Sequence, residues 1–353
     1  MSGGPRRVAR HLRNDGKVPG FLEAGYLSVV SKVTNCQATS AGIVAGMSVD
    51  LLVVILNYAT RDLLRDCLRS LEAQSGVRCE VCVVDNASPD GSAEMVEREF
   101  PRVRLLRNPE NNGFSAGNNL GLRTFGWPEA GRSRYVMLLN PDTVVPEGAL
   151  AAMVAYADAH PDAGVIGPRL LLPDGSLDKA CRRGFPTPAV SFYRLSGLSR
   201  IFKRSPRLNR YNMEYLDERR EAEVDAVVGA CMLMRGEALR QVGLLDEVFF
   251  MYGEDLDWCL RFKQAGWRVM YFPDVIVHHV KRAASRRSAK AQYEFDRAMW
   301  LFYKKHYRAA QSGLVDLLVR IGLGLRGGRA LWREMNGTNG TNASATAADD
   351  RRS

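Results

Sequence analysis

Five short stretches carry side chains suited to ligand chemistry. "VVDNASPDGS" ends an apolar run on Asp85 and Asn86. A carboxylate there can accept hydrogen bonds from a ligand or cap the turn behind it. "NNGFSAGNNLG" offers donors and acceptors on Asn112 and Asn118, while Gly113 and Gly117 would let backbone approach a ligand closely. A plain loop and helix cap is the alternative. "LLNPDTVVP" presents Asn140 and then Asp142 behind a rigid proline. One carboxylate of this kind can bind magnesium or manganese, which favour hard oxygens and keep substrate phosphates in their shell; it can equally cap the next helix. "MYGEDLDWCLR" places Glu254, Asp255 and Asp257 beside Trp258. Acids suit a first helical turn, but a carboxylate against aromatic walls can also be tuned to take a proton from a hydroxyl. Finally, His278 and His279 close "VIVHHV". Adjacent strand residues point to opposite faces, so one of them can face a site and give a metal its second ligand. A surface pair is the alternative.

The elements that must hold these side chains show clear periodicity. "LLVVIL" is a continuous apolar run, as in a strand buried on both faces. Asn57 follows it, and Thr60 is placed to cap a helix with Leu64, Leu68 and Leu71 on one face. "VCVVD", "VRLLRN", "YVMLLN" and "GVIG" read as further strands, with helices expected from about Ala93, from about Ser115 and over 147–159. Strands alternating with helices predict an α/β sheet of mostly parallel strands, whose ligands lie beyond the carboxyl ends. Three of those ends are polar: Asn57, Asp85-Asn86 and Asn140-Pro141-Asp142. After Pro168 the alternation weakens into "RLLLPDGSLDKACRRGFPTP", a hairpin or loops, and then a basic segment over 194–220. "VDAVVGACMLMR" resumes a strand, "EDLDWCLRFKQAG" a helix, and "RVMYFPDVIVHHV" one or two strands.

The chain has 353 residues and a net charge of +10. From Lys281 to Arg308 nine Lys or Arg stand against two acids, a pattern that can face nucleic acid, anionic lipid or a phosphorylated substrate. No nucleic-acid recognition motif accompanies it. No Walker or dinucleotide fingerprint is present, and no uninterrupted apolar run is long enough to span a bilayer. Seven scattered cysteines, including the Cys79–Cys82 CxxC inside a strand, fit reduced core thiols better than a metal site. Residues 1–47 carry no clear periodicity and are expected to be a poorly ordered extension, with Met47 a candidate natural start. Residues 336–353 are expected to be disordered.

In this order the motifs resemble family 2 glycosyltransferases of the GT-A fold, over about residues 49 to 280, and most of all the bacterial dTDP-rhamnosyltransferases of O-antigen and cell-wall synthesis. The resemblance rests on "VVILNY", "VVDNASPDGS", "RNPENNGFSAGNNLG", "LLNPDTVVP", "VGACMLMRGEALRQVGLLDEVFFMYGEDLDWCLRFKQAGW" and "VIVHH". It implies a Rossmann-like, mostly parallel central sheet over 48–280 flanked by helices, a basic helical C-terminal region over 281–335, and inverting transfer of a sugar from a nucleotide donor. L-rhamnose from dTDP-rhamnose is the expected donor, with a UDP- or GDP-sugar as the alternative. Asp255 would be the base, with Glu254 and Asp257 positioning it or the acceptor. Asn57, Asp85, Asn86, Asn112, Gly113, Gly117, Asn118, Asn140 and Asp142 would line the donor site, with Asp85 on the base. Gly229, Ala230 and Trp258 would meet the acceptor, a glycan or polyprenyl-diphosphate-linked glycan. Asp142 stands where the family has its metal-contacting acid, with Asn140 in place of the first DxD acid. His278, or else His279, would complete the protein's ligands to a divalent Mg2+ or Mn2+. Such acceptors imply a cytoplasmic protein with peripheral contact at an anionic membrane, through the basic stretch and a Leu/Val/Ile/Arg helix near 313–326.

Overall fold

A computed structural model describes residues 49–281 and 289–337. The expectations for the N-terminal extension, for the stretch 282–288 and for the tail beyond 337 lie outside these residues.

The first half follows the alternation. Strands β1 (Leu51–Asn57), β2 (Cys79–Asp85), β3 (Arg104–Arg107) and β4 (Tyr135–Leu139) are separated by helices α1 (Arg61–Glu72), α2 (Ser92–Glu99) and α3 (Gly113–Thr124). They pair in parallel in the order β3-β2-β1-β4. Leu51 to Ile55 are buried on both faces of β1, as an all-apolar strand covered by helices on either side must be. Leu64, Leu68 and Leu71 of α1 turn inward together. Thr60 departs from expectation: its hydroxyl donates to Asn57 Oδ1 at 2.6 Å and does not cap α1.

The second half makes the sheet mixed. Short β5 (Thr143–Val144) and α4 (Ala149–Ala159) lead to β6 (Ala163–Leu171), longer than "GVIG" alone suggests. A connection carrying α5 (Pro188–Leu195) and α6 (Leu198–Ile201) leads to β7 (Ala222–Glu223) and β8 (Cys231–Arg235). β8 runs antiparallel to both β4 and β6. No βαβ crossover constrains its direction, because a long segment without a regular crossover helix precedes it. Helices α7 (Gly236–Val242) and α8 (Glu254–Gln264) follow, then β9 (Arg268–His279). β9 is a single strand, parallel to β6, with an irregularity opposite Pro168–Arg169 that absorbs the proline of "FPDV". Its far end pairs antiparallel with β5, Thr143 opposite His279 and Val144 opposite His278.

The described cysteines are all free, and every one but Cys79 is buried. Cys79 and Cys82 stand three apart on β2 and so project to opposite faces.

Helix α9 (Ala289–His306) joins the main core through Ala298 and Phe302. Helix α10 (Gly313–Met335), kinked at Gly328, packs Leu331 and Met335 against Trp300 and Tyr303 of α9. Its Leu314, Leu317, Leu318, Ile321, Leu325 and Trp332 stay exposed. No described helix is long and apolar enough to cross a membrane.

One buried carboxylate ties α8 to α9. Asp257, fully buried, accepts from His306 Nε2 at 2.7 Å and Arg261 Nε at 2.8 Å, and pairs with Lys305 Nζ at 2.7 Å. Burial alone would raise its pKa, but the His306 hydrogen bond and the Arg261 and Lys305 charges outweigh this and hold it at about 2. Two positions apart on a helix, Asp255 and Asp257 face different ways. Asp257 is therefore a clamp on α9 and does not position the acceptor or Asp255. Asp257→Ala should lower the unfolding free energy by about 3 kcal/mol or more, measured by urea denaturation. Because the folded-state pKa is depressed, the clamp's stabilisation is present above the usual aspartate value of about 3.9. It should fade as pH falls toward about 2.

Candidate active site

The carboxyl ends of the parallel strands form one polar edge. Asn57 and Asp85 are register partners on β1 and β2. Asp85 Oδ1 accepts from Asn57 Nδ2 at 2.9 Å, and Oδ2 accepts from the Ser88 amide at 3.0 Å. Asp85 thus caps its turn and still has lone pairs to offer a ligand. Asn86 is held between Asn108, which donates to its Oδ1, and Asn111, which accepts from its Nδ2, both at 2.8 Å. Asn112 is exposed and leaves α3 without a side-chain cap. Asn118 donates to Phe114 O at 2.9 Å, and its buried Oδ1 has no partner in the protein.

The glycines of this stretch pack closely against protein neighbours. Gly113 has φ +85°, and a Cβ there would lie 2.4 Å from Phe250 O, the carbonyl that the Phe114 amide contacts at 2.6 Å. A Cβ at Gly117 would lie 2.3 Å from Leu56 Cδ1, so this position lets α3 press onto β1. The close approaches at these two positions are to Phe250 and Leu56.

The β5–β9 pairing brings His279 to Asp142. His279 is buried and its Nε2 lies 3.3 Å from Asp142 Oδ1; His278 is exposed. Strand alternation thus selects His279, reversing the expected preference for His278. On the other side, His279 Nδ1 donates to Asp178 Oδ2 at 2.9 Å, and Lys281 also donates to that oxygen, at 2.5 Å. Burial would raise the Asp178 pKa, but these partners hold it well below the usual range. Burial would likewise lower the His279 pKa, yet the Asp142 and Asp178 carboxylates raise it. A neutral imidazole would aim its Nε2 lone pair at Asp142, so a proton or a metal cation must lie between them. This donor set, an imidazole backed by a carboxylate and facing a second carboxylate, fits a divalent ion whose remaining ligands come from substrate. Among the described residues no group of three or more His, Cys, Asp or Glu forms a complete metal site.

Asp255, at the first turn of α8, is buried and paired. Its Oδ2 accepts from Arg183 Nη2 at 2.6 Å and the Gly229 amide at 3.2 Å, while Oδ1 accepts from the Leu256 amide at 2.8 Å. Burial would lower the Arg183 pKa, but the Asp255 charge and hydrogen bond, together with the neighbouring Tyr211 and Cys259, raise it on balance. Beside it, burial and then the Asp255 charge push Glu254 well above the usual carboxylate range, and its Oε2 is buried without a partner. A side chain at Gly229 would meet the Phe114 ring at 3.3 Å and Asp255 Cβ at 3.9 Å, so Gly229 lies between Phe114 and Asp255. Ala230 is buried, and its carbonyl accepts from the Asn140 amide at 2.9 Å. Trp258 differs from expectation. It is fully buried, donates to Gly243 O at 2.9 Å and packs on Phe262, so it belongs to the core and not to an acceptor surface.

Arg183 and Asp178 escaped sequence reasoning because both lie in the stretch read as a hairpin or loops. Backbone conformation gives an independent sign of the site. Among the described residues five non-glycines have left-handed φ, and four of them, Ala59, Ala87, Tyr252 and Lys281, stand within three positions of Asn57, Asp85, Asp255 and His279. Such strain persists where surrounding structure enforces it, commonly at functional sites.

Comparison with known proteins gives the family and the fold. The family described as "Glycosyltransferase like family 2" matches residues 49–300. An N-acetylglucosaminyl-diphospho-decaprenol L-rhamnosyltransferase of Mycobacterium tuberculosis is 30% identical over 258 residues, covering 71% of this chain and 83% of the relative. The low-salt glycan biosynthesis hexosyltransferase Agl10 of Haloferax volcanii is 28% identical over 60% of this chain and 61% of its own length. Among solved structures, the mannosyltransferase PcManGT of Pyrobaculum calidifontis, in complex with GDP-Man and Mn2+, superposes with a TM-score of 0.50. It is 16% identical, and the match covers 90% of this chain and 84% of that one. GalNAc-T7 with UDP, GalNAc and Mn2+ gives 0.51 at 15% identity, over 81% and 56%. The chain belongs to glycosyltransferase family 2, and it is a glycosyltransferase with the GT-A fold.

Proposed function

We propose that the protein is an inverting, metal-dependent rhamnosyltransferase. It moves L-rhamnose from dTDP-L-rhamnose to a hydroxyl of a polyprenyl-diphosphate-linked glycan, with Asp255 as base. One observation carries the reading: Asn140 N bonds Ala230 O, and the adjacent Gly229 N bonds Asp255 Oδ2. Two neighbouring backbone groups therefore link the donor edge of the parallel strands to the proposed base. The choice of sugar and acceptor is supported by the decaprenol-linked rhamnosyltransferase that this chain resembles. The UDP and GDP-mannose held by the solved neighbours keep those donors as the second reading.

The chemistry follows from the side chains. Asp255 takes the proton from the acceptor hydroxyl as its oxygen attacks the anomeric carbon. The bond from that carbon to the diphosphate oxygen breaks on the opposite side, which inverts the configuration. Arg183 and the two amides fix the carboxylate's orientation and leave a lone pair on Oδ1 for the hydroxyl. Glu254, holding its proton, can donate a hydrogen bond to a sugar hydroxyl. Asp85 would bind the nucleobase. Asp142 and His279 would hold a divalent cation that, when bound, neutralises the charge on the departing diphosphate. Asn140 in place of a first acid leaves this ligand set less negative than a DxD pair. The exposed apolar face of α10 would rest on the cytoplasmic surface of the membrane that carries the acceptor.

A binding screen of dTDP-, UDP- and GDP-sugars with Mn2+ tests the donor, and preference for a UDP- or GDP-sugar would reverse the order of the two readings. Asp255→Asn should reduce turnover by about 10²–10⁴-fold with donor binding retained; equal loss of both would remove its role as base. Asp178→Ala should weaken Mn2+ activation by about 10–100-fold through His279, whereas His278→Ala should leave the metal titration unchanged. The reverse ranking would exclude His279 as ligand.

A further inference from the structure

The segment between Phe185 and Tyr211 leaves the body of the protein beside the proposed base. At its root Arg183 bonds Asp255, the Gly184 amide donates to Tyr211 O at 3.0 Å, and the Phe185 amide donates to Asp225. Beyond that root the chain forms α5 and α6. Thr187 accepts from the Val190 amide to cap α5, and buried Asn209 donates to Lys203 O and Glu214, so the excursion has internal order. Its outer surface is unusual for a water-facing hairpin. Phe192 is 61% exposed, Leu195 58%, Ile201 73% and Phe202 49%. From residue 188 to 213 the sequence contains Arg194, Arg200, Lys203, Arg204, Arg207 and Arg210 and no Asp or Glu. Arg210 pairs with Asp225 and Arg194 lies over the Tyr211 ring, while Arg200, Lys203, Arg204 and Arg207 make no ion pair among the described residues.

We propose that the α5–α6 hairpin docks on an anionic lipid bilayer. It would seat Phe192, Leu195, Ile201 and Phe202 among the acyl-chain boundary groups, with the four unpaired cations on the headgroup phosphates. Apolar side chains interleaved with cations and free of acids are the signature of an interfacial element. A nucleic acid would satisfy the cations but gain nothing from Ile201 and Leu195. An apolar patch built for a second protein of ordinary charge would not require the complete exclusion of acids. The inference rests on the lipid-linked-acceptor reading for its purpose: a hairpin rooted at Arg183 sets the base close to the surface from which such an acceptor comes. It is distinct from the contact proposed for α10.

Flotation of the full chain with phosphatidylglycerol/phosphatidylcholine vesicles, without donor or acceptor, tests it. Arg200→Gln/Lys203→Gln/Arg204→Gln should lower the partition coefficient by about 100-fold, at about fivefold per cation. Ile201→Ser/Phe202→Ser should lower it by about tenfold or more. The exposed single variant Ile201→Ser serves if the double variant melts early, and should show a smaller loss in the same direction. Wild-type binding should fall with salt and on pure phosphatidylcholine. Unchanged partitioning of the hairpin variants would overturn the proposal. So would loss confined to Leu318→Ser/Leu325→Ser on α10, or equal binding to neutral vesicles. If the hairpin variants instead abolish self-association in vesicle-free solution and leave flotation intact, the surface binds a second copy. Since no sugar is transferred in this assay, a wrong donor or acceptor would leave its result standing, and a failed flotation would leave the transferase reading standing.

Discussion

An antiparallel strand set into a parallel sheet decides where the chemistry sits. β8 pairs with β4 on one side and β6 on the other, and the pairing continues past the end of β4 as the bond from Asn140 N to Ala230 O. Because β8 runs against its neighbours, its first residues, not its last, lie at the carboxyl edge of the parallel strands. Gly229 and Ala230 therefore arrive beside the turn that follows β4, and the Gly229 amide holds Asp255. Had β8 run parallel, that edge would have received Arg235 and the start of α7.

A second long-range pairing completes the edge. β5 has only two residues and could not persist alone. It exists because the end of β9 lies against it, and Asp142 O accepts from the Val280 amide at 2.8 Å. This fixes which histidine faces inward. The buried charges then sort into two functions. Asp178 orients His279, and Arg183 orients Asp255, at the site; Asp257 with His306, Lys305 and Arg261 secures α9. Burying a carboxylate in either place is tolerable only because each has a hydrogen-bonded cation as partner.

The two halves of the molecule differ in what their surfaces ask for. The polar edge suits a water-soluble nucleotide sugar, while the α5–α6 hairpin and the outer face of α10 expose apolar side chains beside cations. The proposed transfer from a soluble donor to a lipid-carried acceptor would use both kinds of surface, and the root of the hairpin at Arg183 lies against the proposed base.

The chain's local patterns determined a good deal. Continuous apolar runs marked β1, β2 and β4, the 3.6-residue period marked α1, and polar residues at three strand ends marked the edge. Each of these is a property of neighbours in sequence. Local pattern could not tell His278 from His279, since both alternatives satisfy it until β5 supplies a face. Nor could it separate Asp255 from Asp257, two acids in one turn with opposite surroundings, or show that Gly117 admits Leu56 and Trp258 fills the core. Arg183 and Asp178, in a stretch without periodicity, gave no signal at all. Their partners are 72 and 101 residues away, respectively. Such pairings depend on where strands of unlike direction meet, and only the folded chain brings those residues within hydrogen-bonding distance.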